Sequence, residues 1–448
     1  MNRYAMKAVV LLLALAAVAP ARAAGPAVTI YTHDLGYVRE TRALDLRAAT
    51  DTVRIENVSS ALDFSSVRLT PRDAGAKVTR LSYRYDVASS DALLDRARGS
   101  RVRIGSRGDR VTEGTLIAAD GAWLTVRAAD GSIQTVSREA VETVSLANPG
   151  SLALKPAIEA AIEGGRKGKL DCELAYLTGG LSWNAEHTVV RKGENEATWS
   201  TNVTVENNTG RDYVDAALKL VAGEPRRAPG AMAPMPRAEK MMVTMADAVQ
   251  SMPEVAFADY HLYTLPGTAT LRDRESQSVA MLSPRTVKLS PRYFYRGGDP
   301  RGVTTQLVTT NENANGLGVP LAGGRVRIYE PDPSGALQFT GETTIGHTAQ
   351  GEKVTLDIGQ AFDLVGERKE LSNKRVSDRE REIAVEITLR NRKPNAVTIT
   401  VQESVGGDTE ITQKSQAFTR KDANTIEFEV PVPAGKEVKV TYTAHTRY

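Results

Sequence analysis

Ile383-Ala384-Val385-Glu386-Ile387-Thr388-Leu389, followed by Val397-Thr398-Ile399-Thr400-Val401, decides the fold class. In both runs large apolar residues recur at every second position, with Ala384 and polar residues between them. That two-residue period puts one face of a strand into a core and leaves the other in water. Isoleucine, valine and threonine, branched at Cβ, also fit a pleated surface better than a helix. Outward from these runs the same pattern returns in residues 28–37, in Thr52-Val53-Arg54-Ile55-Glu56-Asn57-Val58, and in residues 198–207, 217–222 and 425–430. Turns at Asn207-Asn208-Thr209-Gly210, Pro266-Gly267, Gly297-Gly298, Gly323-Gly324 and Gly406-Gly407 punctuate it. The expected class is therefore mainly all-β, with β-sandwich domains in the C-terminal part.

Some stretches depart from the long alternating strands. Arg101-Val102-Arg103-Ile104, Glu113-Gly114-Thr115-Leu116-Ile117, Trp123-Leu124-Thr125-Val126-Arg127 and two further short runs are joined by turns that include Asp120-Gly121 and Asp130-Gly131. Asp-Gly supplies the positive φ that tight hairpins need. Five short strands there read as a small Sm-like or SH3-like barrel, inserted in an N-terminal β-domain. Trp123 is its one aromatic residue, too few for a nucleic-acid stacking platform. Residues 152–164, with Pro156 near the start and Gly164-Gly165 at the end, are the best helix candidate. Residues 368–381 are a charged excursion, a long exposed hairpin or loop. Residues 225–253 lose the alternation, are rich in Ala, Pro, Arg and Met, and read as a linker or insertion. The expected division is 1–23 leader, 24–95 N-terminal β-domain, 96–148 barrel, 149–224 first part of the main β-domain, 225–254 linker and 255–448 C-terminal sandwich.

The leader reading rests on Arg3 and Lys7 ahead of the apolar run 8–18, which is too short to span a bilayer, then Pro20 and the small-x-small triplet Ala21-Arg22-Ala23. Cleavage at Ala23/Ala24 would deliver the mature chain to the periplasm or outside the cell, without a transmembrane span. The chain has 57 Lys+Arg and 54 Asp+Glu, and the leader holds three of the bases and no acid, so the mature part is neutral. No basic patch argues for nucleic acid. Cys172 is the single cysteine, which excludes an internal disulfide and fits a buried strand position. His33, His187, His261, His347 and His445 stand apart from one another, unlike the close pairs of a structural zinc site.

No Gly-x-Ser-x-Gly, His-Glu-x-x-His, Walker or dinucleotide glycine motif occurs. In Gly179-Gly180-Leu181-Ser182-Trp183 the glycines read as a turn feeding a strand that buries Trp183, with Ser182 on the opposite face. Asp34 and the acids of Glu330-Pro331-Asp332-Pro333 are members one could pair for glycan hydrolysis, although loop acids at proline turns are usually solvated. Met232, Met235, Met241, Met242, Met245 and Met252 offer thioethers suited to Cu(I), but composition favours a pliant linker. Arg292-Tyr293-Phe294-Tyr295-Arg296 could face sugars or polyanions, but reads first as an edge strand with one aromatic side in the core. No catalytic, cofactor-binding or metal-ligating residue is assigned, and no cofactor is expected.

Tyr176-Leu177-Thr178-Gly179-Gly180-Leu181-Ser182-Trp183, Tyr260-His261-Leu262-Tyr263-Thr264-Leu265-Pro266 and Asn315-Gly316-Leu317-Gly318-Val319-Pro320-Leu321 resemble the bacterial domain of unknown function 4139, sometimes labelled mucoidy-inhibitor-A-like. Phe362-Asp363-Leu364-Val365-Gly366-Glu367-Arg368 and the N-terminal Tyr31-Thr32-His33-Asp34-Leu35-Gly36-Tyr37 extend the resemblance over nearly the whole mature chain. It implies an exported, β-rich envelope protein and transfers no catalytic residue. The expected function is a non-catalytic binding or scaffold module for an envelope protein or polysaccharide. The alternative is a hydrolase or lyase acting on envelope polysaccharide through paired carboxylates. Oligomeric state is not fixed by the sequence.

Overall fold

Backbone pairing in the computed structural model, which describes residues 25–86, 89–146, 152–223, 225–226, 241–244, 252, 254–257 and 260–448, produces six sheets among those residues. The leader and most of the methionine-rich stretch lie outside the described residues. The chain is mainly all-β, as the alternation requires.

The first sheet has eight strands. Ala27–Tyr31 lies inside it, antiparallel to Gly36–Leu46 on one side and parallel to Tyr213–Ala222 on the other. Gly168–Thr178 adds to Gly36–Leu46, and Arg68–Pro71 adds beyond it. Tyr260–Thr264 and Glu254–Phe257 extend the other edge. Strands from before and after the five-stranded insertion thus share one ladder. Ala27–Tyr31 and Gly36–Leu46 are thereby joined by hydrogen bonds to Tyr213–Ala222 and Gly168–Thr178. The linker is crossed in the same way, because Glu275–Lys288 pairs with Glu196–Asn207.

Residues 152–164 are not helical. Ala157–Glu163 is the centre of a three-stranded sheet, flanked by Asp51–Glu56 and Lys77–Arg84. Its Ala and Glu content favours a helix in isolation, but Ala157, Ile158, Ala160 and Ile162 are all buried, and tertiary burial outweighs local propensity. Residues 368–381 do form the long hairpin, Leu364–Ser377 with Glu380–Asn391. In the insertion all five expected strands appear, in the order Val141–Leu146, Arg101–Ser106, Arg110–Ala119, Trp123–Arg127, Ile133–Ser137. The first and last of that order do not pair, so the sheet is open and the barrel does not close. Its small core holds Ile104, Leu116, Leu124 and Val126, together with Leu94 of the short helix Ser90–Arg96.

The remaining sheets stack in series. A middle sheet runs Met241–Thr244, Glu275–Lys288, Glu196–Asn207, Leu181–Arg191, Gly324–Pro331, Leu337–Ile345. The next runs Lys353–Gln360, Val303–Thr310, Ser290–Arg296, Val397–Ser404, Thr425–Val432, Thr419–Asp422, and the last Leu364–Ser377, Glu380–Asn391, Glu437–Arg447, Asp408–Lys414. One core joins the eight-stranded and three-stranded sheets to Leu181, Trp183, Ala185, Val203 and Val205 of the middle sheet. A second joins Val189, Ala197 and Trp199 of that same sheet to Leu307, Val354 and Leu356 of the next. A third joins Tyr295, Val303, Ile399 and Val401 to Val385, Ile387 and Tyr442 of the last.

The parity of these residues has a geometric consequence. Leu181, Trp183, Ala185 and Val189 occupy odd positions of one strand and therefore share a face. That single face serves the first core at one end and the second core at the other. The face of the next sheet carrying Leu307 and Val303 is divided in the same manner between the second and third cores. Each division leaves a seam where two covering sheets part.

Candidate functional site

The first seam falls at His187, between Ala185 of the first core and Val189 of the second. Its cross-strand partner is Thr201, itself between Trp199 and Val203. His187 is 1% exposed, and every hydrogen-bonding position on its ring is used. Nε2 lies 2.9 Å from the Ala322 carbonyl, which can only accept, so Nε2 carries the hydrogen. Nδ1 accepts from the Thr201 hydroxyl at 2.8 Å and from Trp199 Nε1 at 3.3 Å. The Trp199 ring meets the imidazole edge-on, with centroids 5.6 Å apart. Burial pushes the His187 pKa down to about 4, against the opposing pull of the Ala322 carbonyl. The imidazole is therefore neutral at pH 7, and its free lone pair is already committed.

Beside it lies a cavity of about 270 Å³, lined by Met281, Leu282, Val319, Leu321, Tyr263 and Arg285 among others. The wall is fixed by the turn after Asn313–Asn315. Gly316 there has φ +86°, and a Cβ on it would meet the Thr286 carbonyl oxygen at 2.0 Å, so only glycine fits. Tyr263 donates to the Pro320 carbonyl at 3.1 Å, and Arg285 donates to the Leu317 carbonyl at 3.2 Å.

The second seam falls at Tyr293 and its cross-strand partner Thr305, between the pair Pro291 and Leu307 and the pair Tyr295 and Val303. Ser290–Arg296 is a central strand here, bonded on both sides, not an edge. The seam opens into a polar cleft of about 290 Å³. Arg191, Glu330 and Thr340 reach it from the middle sheet, Tyr293, Thr305 and Gln360 from the next, and Lys393 from the turn after Glu380–Asn391. Arg191 is ion-paired with Glu330 and also donates to the Gly193 and Glu194 carbonyls, while its buried Nε has no partner among the described residues. The Lys393 ammonium sits 4.8 Å from the Tyr293 ring centre and donates to its hydroxyl at 3.1 Å. Among the described residues Lys393 has no carboxylate partner.

Two residues singled out in the sequence, Glu330 and Tyr293, thus meet in one cleft, while the others go elsewhere. Asp332 folds back on its own turn, where the Ser334 hydroxyl and the Gln338 amide draw its pKa down to about 2. Asp34 accepts from the Gly180 amide at 2.7 Å and fixes the glycine turn, in which Gly180 has φ +78°. Ser182 bonds Glu206 at 3.3 Å, on the face opposite His187. Trp183 is fully buried, its indole donating to the Val221 carbonyl at 3.3 Å. Cys172 is buried in strand Gly168–Thr178, and burial pushes its thiol up to about 11. The carboxyls whose pKa is displaced, Asp51, Asp86, Asp120, Asp130, Asp299 and Asp332, all move downward, away from the raised value a general acid needs. The described residues gather no three His, Cys, Asp or Glu side chains that could hold a metal, and they include no helix long and apolar enough to cross a membrane.

His187, Arg191 and Lys393 were not marked as site residues by the sequence. For His187 a signal exists, since it interrupts the inward apolar series of its strand. For Arg191 and Lys393 none does, because pairing between distant strands brings them to the cleft.

No curated protein matches the chain. The model of the family described as "Domain of unknown function (DUF4139)" matches residues 172–448, which include both seams. With more than half of its length matched, the chain belongs to the DUF4139 family.

Proposed function

We propose that this is an exported, non-catalytic binding module whose polar cleft at the second seam holds a segment of cell-envelope polysaccharide. The observation that carries the reading is the convergence of Tyr293, Lys393, Arg191 and Glu330 from separate strands and a turn on one cleft. The cleft is close to the lower end of the ~300–1,000 Å³ typical of ligand sites. An aromatic ring, a lysine without a carboxylate partner, and the Thr305, Thr340 and Gln360 side chains match the mixture of hydroxyls and ring faces that a saccharide presents. Glu330 is engaged in an ion pair with Arg191, which favours binding over hydrolysis.

Calorimetry with polysaccharide purified from the envelope of the source organism tests the reading. Saturable binding is expected, weakened about tenfold by Tyr293→Ala and by Lys393→Met, with no new reducing ends released. Release of reducing ends that Glu330→Gln abolishes would replace the binding module with a glycan-cleaving enzyme. Export is read separately: the protein recovered by osmotic shock should begin at Ala24, and an intact Met1 on the folded protein would sink that part.

A further inference from the structure

We infer that the cavity at the first seam is a binding site for a medium-chain aliphatic carboxylate, its tail in the cavity and its head on Arg285. The cavity of about 270 Å³ is nearly twice the ~150 Å³ that accepts benzene in an engineered protein core, so it holds a chain on the order of ten carbons. Met281, Leu282, Val319 and Leu321 give it an apolar, adaptable wall.

The polar groups on that wall are not equivalent. His187 has both nitrogens engaged, and Tyr263 spends its hydroxyl hydrogen on the Pro320 carbonyl. Glu254 also lines the cavity, but its carboxylate holds His261 Nδ1 at 2.7 Å. Arg285 differs. Among the described residues its one partner is the Leu317 carbonyl, on one terminal nitrogen, and no carboxylate lies within ion-pair distance. Elsewhere in the molecule, inward-lying arginines are matched by acids, as Arg211 is by Glu40 and Arg368 by Glu403. An arginine that keeps its charge and most of its donors beside an apolar space selects an anion with an apolar body, and its planar fork suits a carboxylate in particular.

The experiment is a calorimetric titration with decanoate below its micellar concentration, with butyrate, decanol and decyl phosphate as parallel probes. Decanoate should bind one to one, butyrate not measurably, decanol at least tenfold more weakly, and decyl phosphate no tighter than decanoate. Arg285→Gln keeps an amide donor for the Leu317 carbonyl and should lower decanoate affinity about tenfold while leaving decanol unchanged. Leu282→Phe, which narrows the cavity, should abolish both. Failure of the wild type to bind decanoate, or equal decanoate affinity in Arg285→Gln, overturns the assignment. Tighter binding of decyl phosphate would transfer the site to phosphate-headed lipids and overturn the carboxylate. Lys393→Met should bind decanoate like the wild type, which separates this result from that of the polar cleft.

Discussion

The two seams arise from the same geometric event and solve it in opposite ways. In each, one sheet face is shared between two opposing sheets, and a cavity or cleft lies beside the residue at the changeover. At the first seam the changeover residue is His187, stripped of water and fully hydrogen-bonded while neutral. At the second it is Tyr293, left half-exposed among charged groups whose bonds are incomplete. Burial of an imidazole is tolerable only because each nitrogen has a partner of the right kind, since an unmet buried polar atom costs ~1–3 kcal/mol. The second seam leaves Tyr293 and Lys393 partly open to solvent, although the buried Nε of Arg191 has no partner among the described residues. On the proposed reading the first seam is a stability element with a cavity attached, and the second is the recognition surface, with little bearing on stability.

Truncation on either side is the strongest way to break this contrast. Trp199→Ala removes a fully buried ring and the Nε1 donor to His187, and should cost ~3–5 kcal/mol by chemical denaturation. Tyr293→Ala should cost no more than about 1 kcal/mol, in the range of ordinary surface changes. Equal losses would mean that the second seam is core after all.

A smaller effect sharpens the contrast through pH. His187 is held near pKa 4 in the fold, against about 6.5 when the chain is unfolded. Between those values the unfolded chain binds the proton and the folded chain does not, so stability is complete above pH 6.5 and declines as pH falls towards 4. The depression corresponds to roughly 3 kcal/mol across that window. Urea midpoints at pH 7 and pH 4 should diverge more for the wild type than for His187→Gln. Parallel changes in the two proteins would show that His187 is not the group responsible. The second seam holds no histidine, so Tyr293→Ala should keep the wild-type slope.

Much of this organisation was legible in period two. The alternation placed Leu181, Trp183 and Ala185 on the inner face, and all three are buried. Read one step further, the same period marks His187 and Thr201 as polar residues at inward positions of paired strands. Failures came where local chemistry and distant packing disagree. Ala157-Ile158-Glu159-Ala160-Ala161-Ile162-Glu163 has helix-forming composition, yet two flanking strands claim its backbone. Closure of the five-stranded insertion depended on whether Ile133–Ser137 reaches Val141–Leu146, and nothing in either run encodes that distance. Arg191 and Glu330 lie far apart in the chain and meet only because Leu181–Arg191 runs parallel to Gly324–Pro331.

The parallel pairing of Ala27–Tyr31 with Tyr213–Ala222 bears on the order of assembly. A hairpin can complete one side of Ala27–Tyr31 at once, through Gly36–Leu46. Its other side has no partner until residues 213–222 have left the ribosome, after the whole five-stranded insertion has been made. Non-local closure of this kind is slow and leaves a strand edge open to other chains. The insertion, whose strands pair only with one another, can be complete long before the sheet that surrounds it. The ladder around Ala27–Tyr31 is thus completed only when Tyr213–Ala222 arrives.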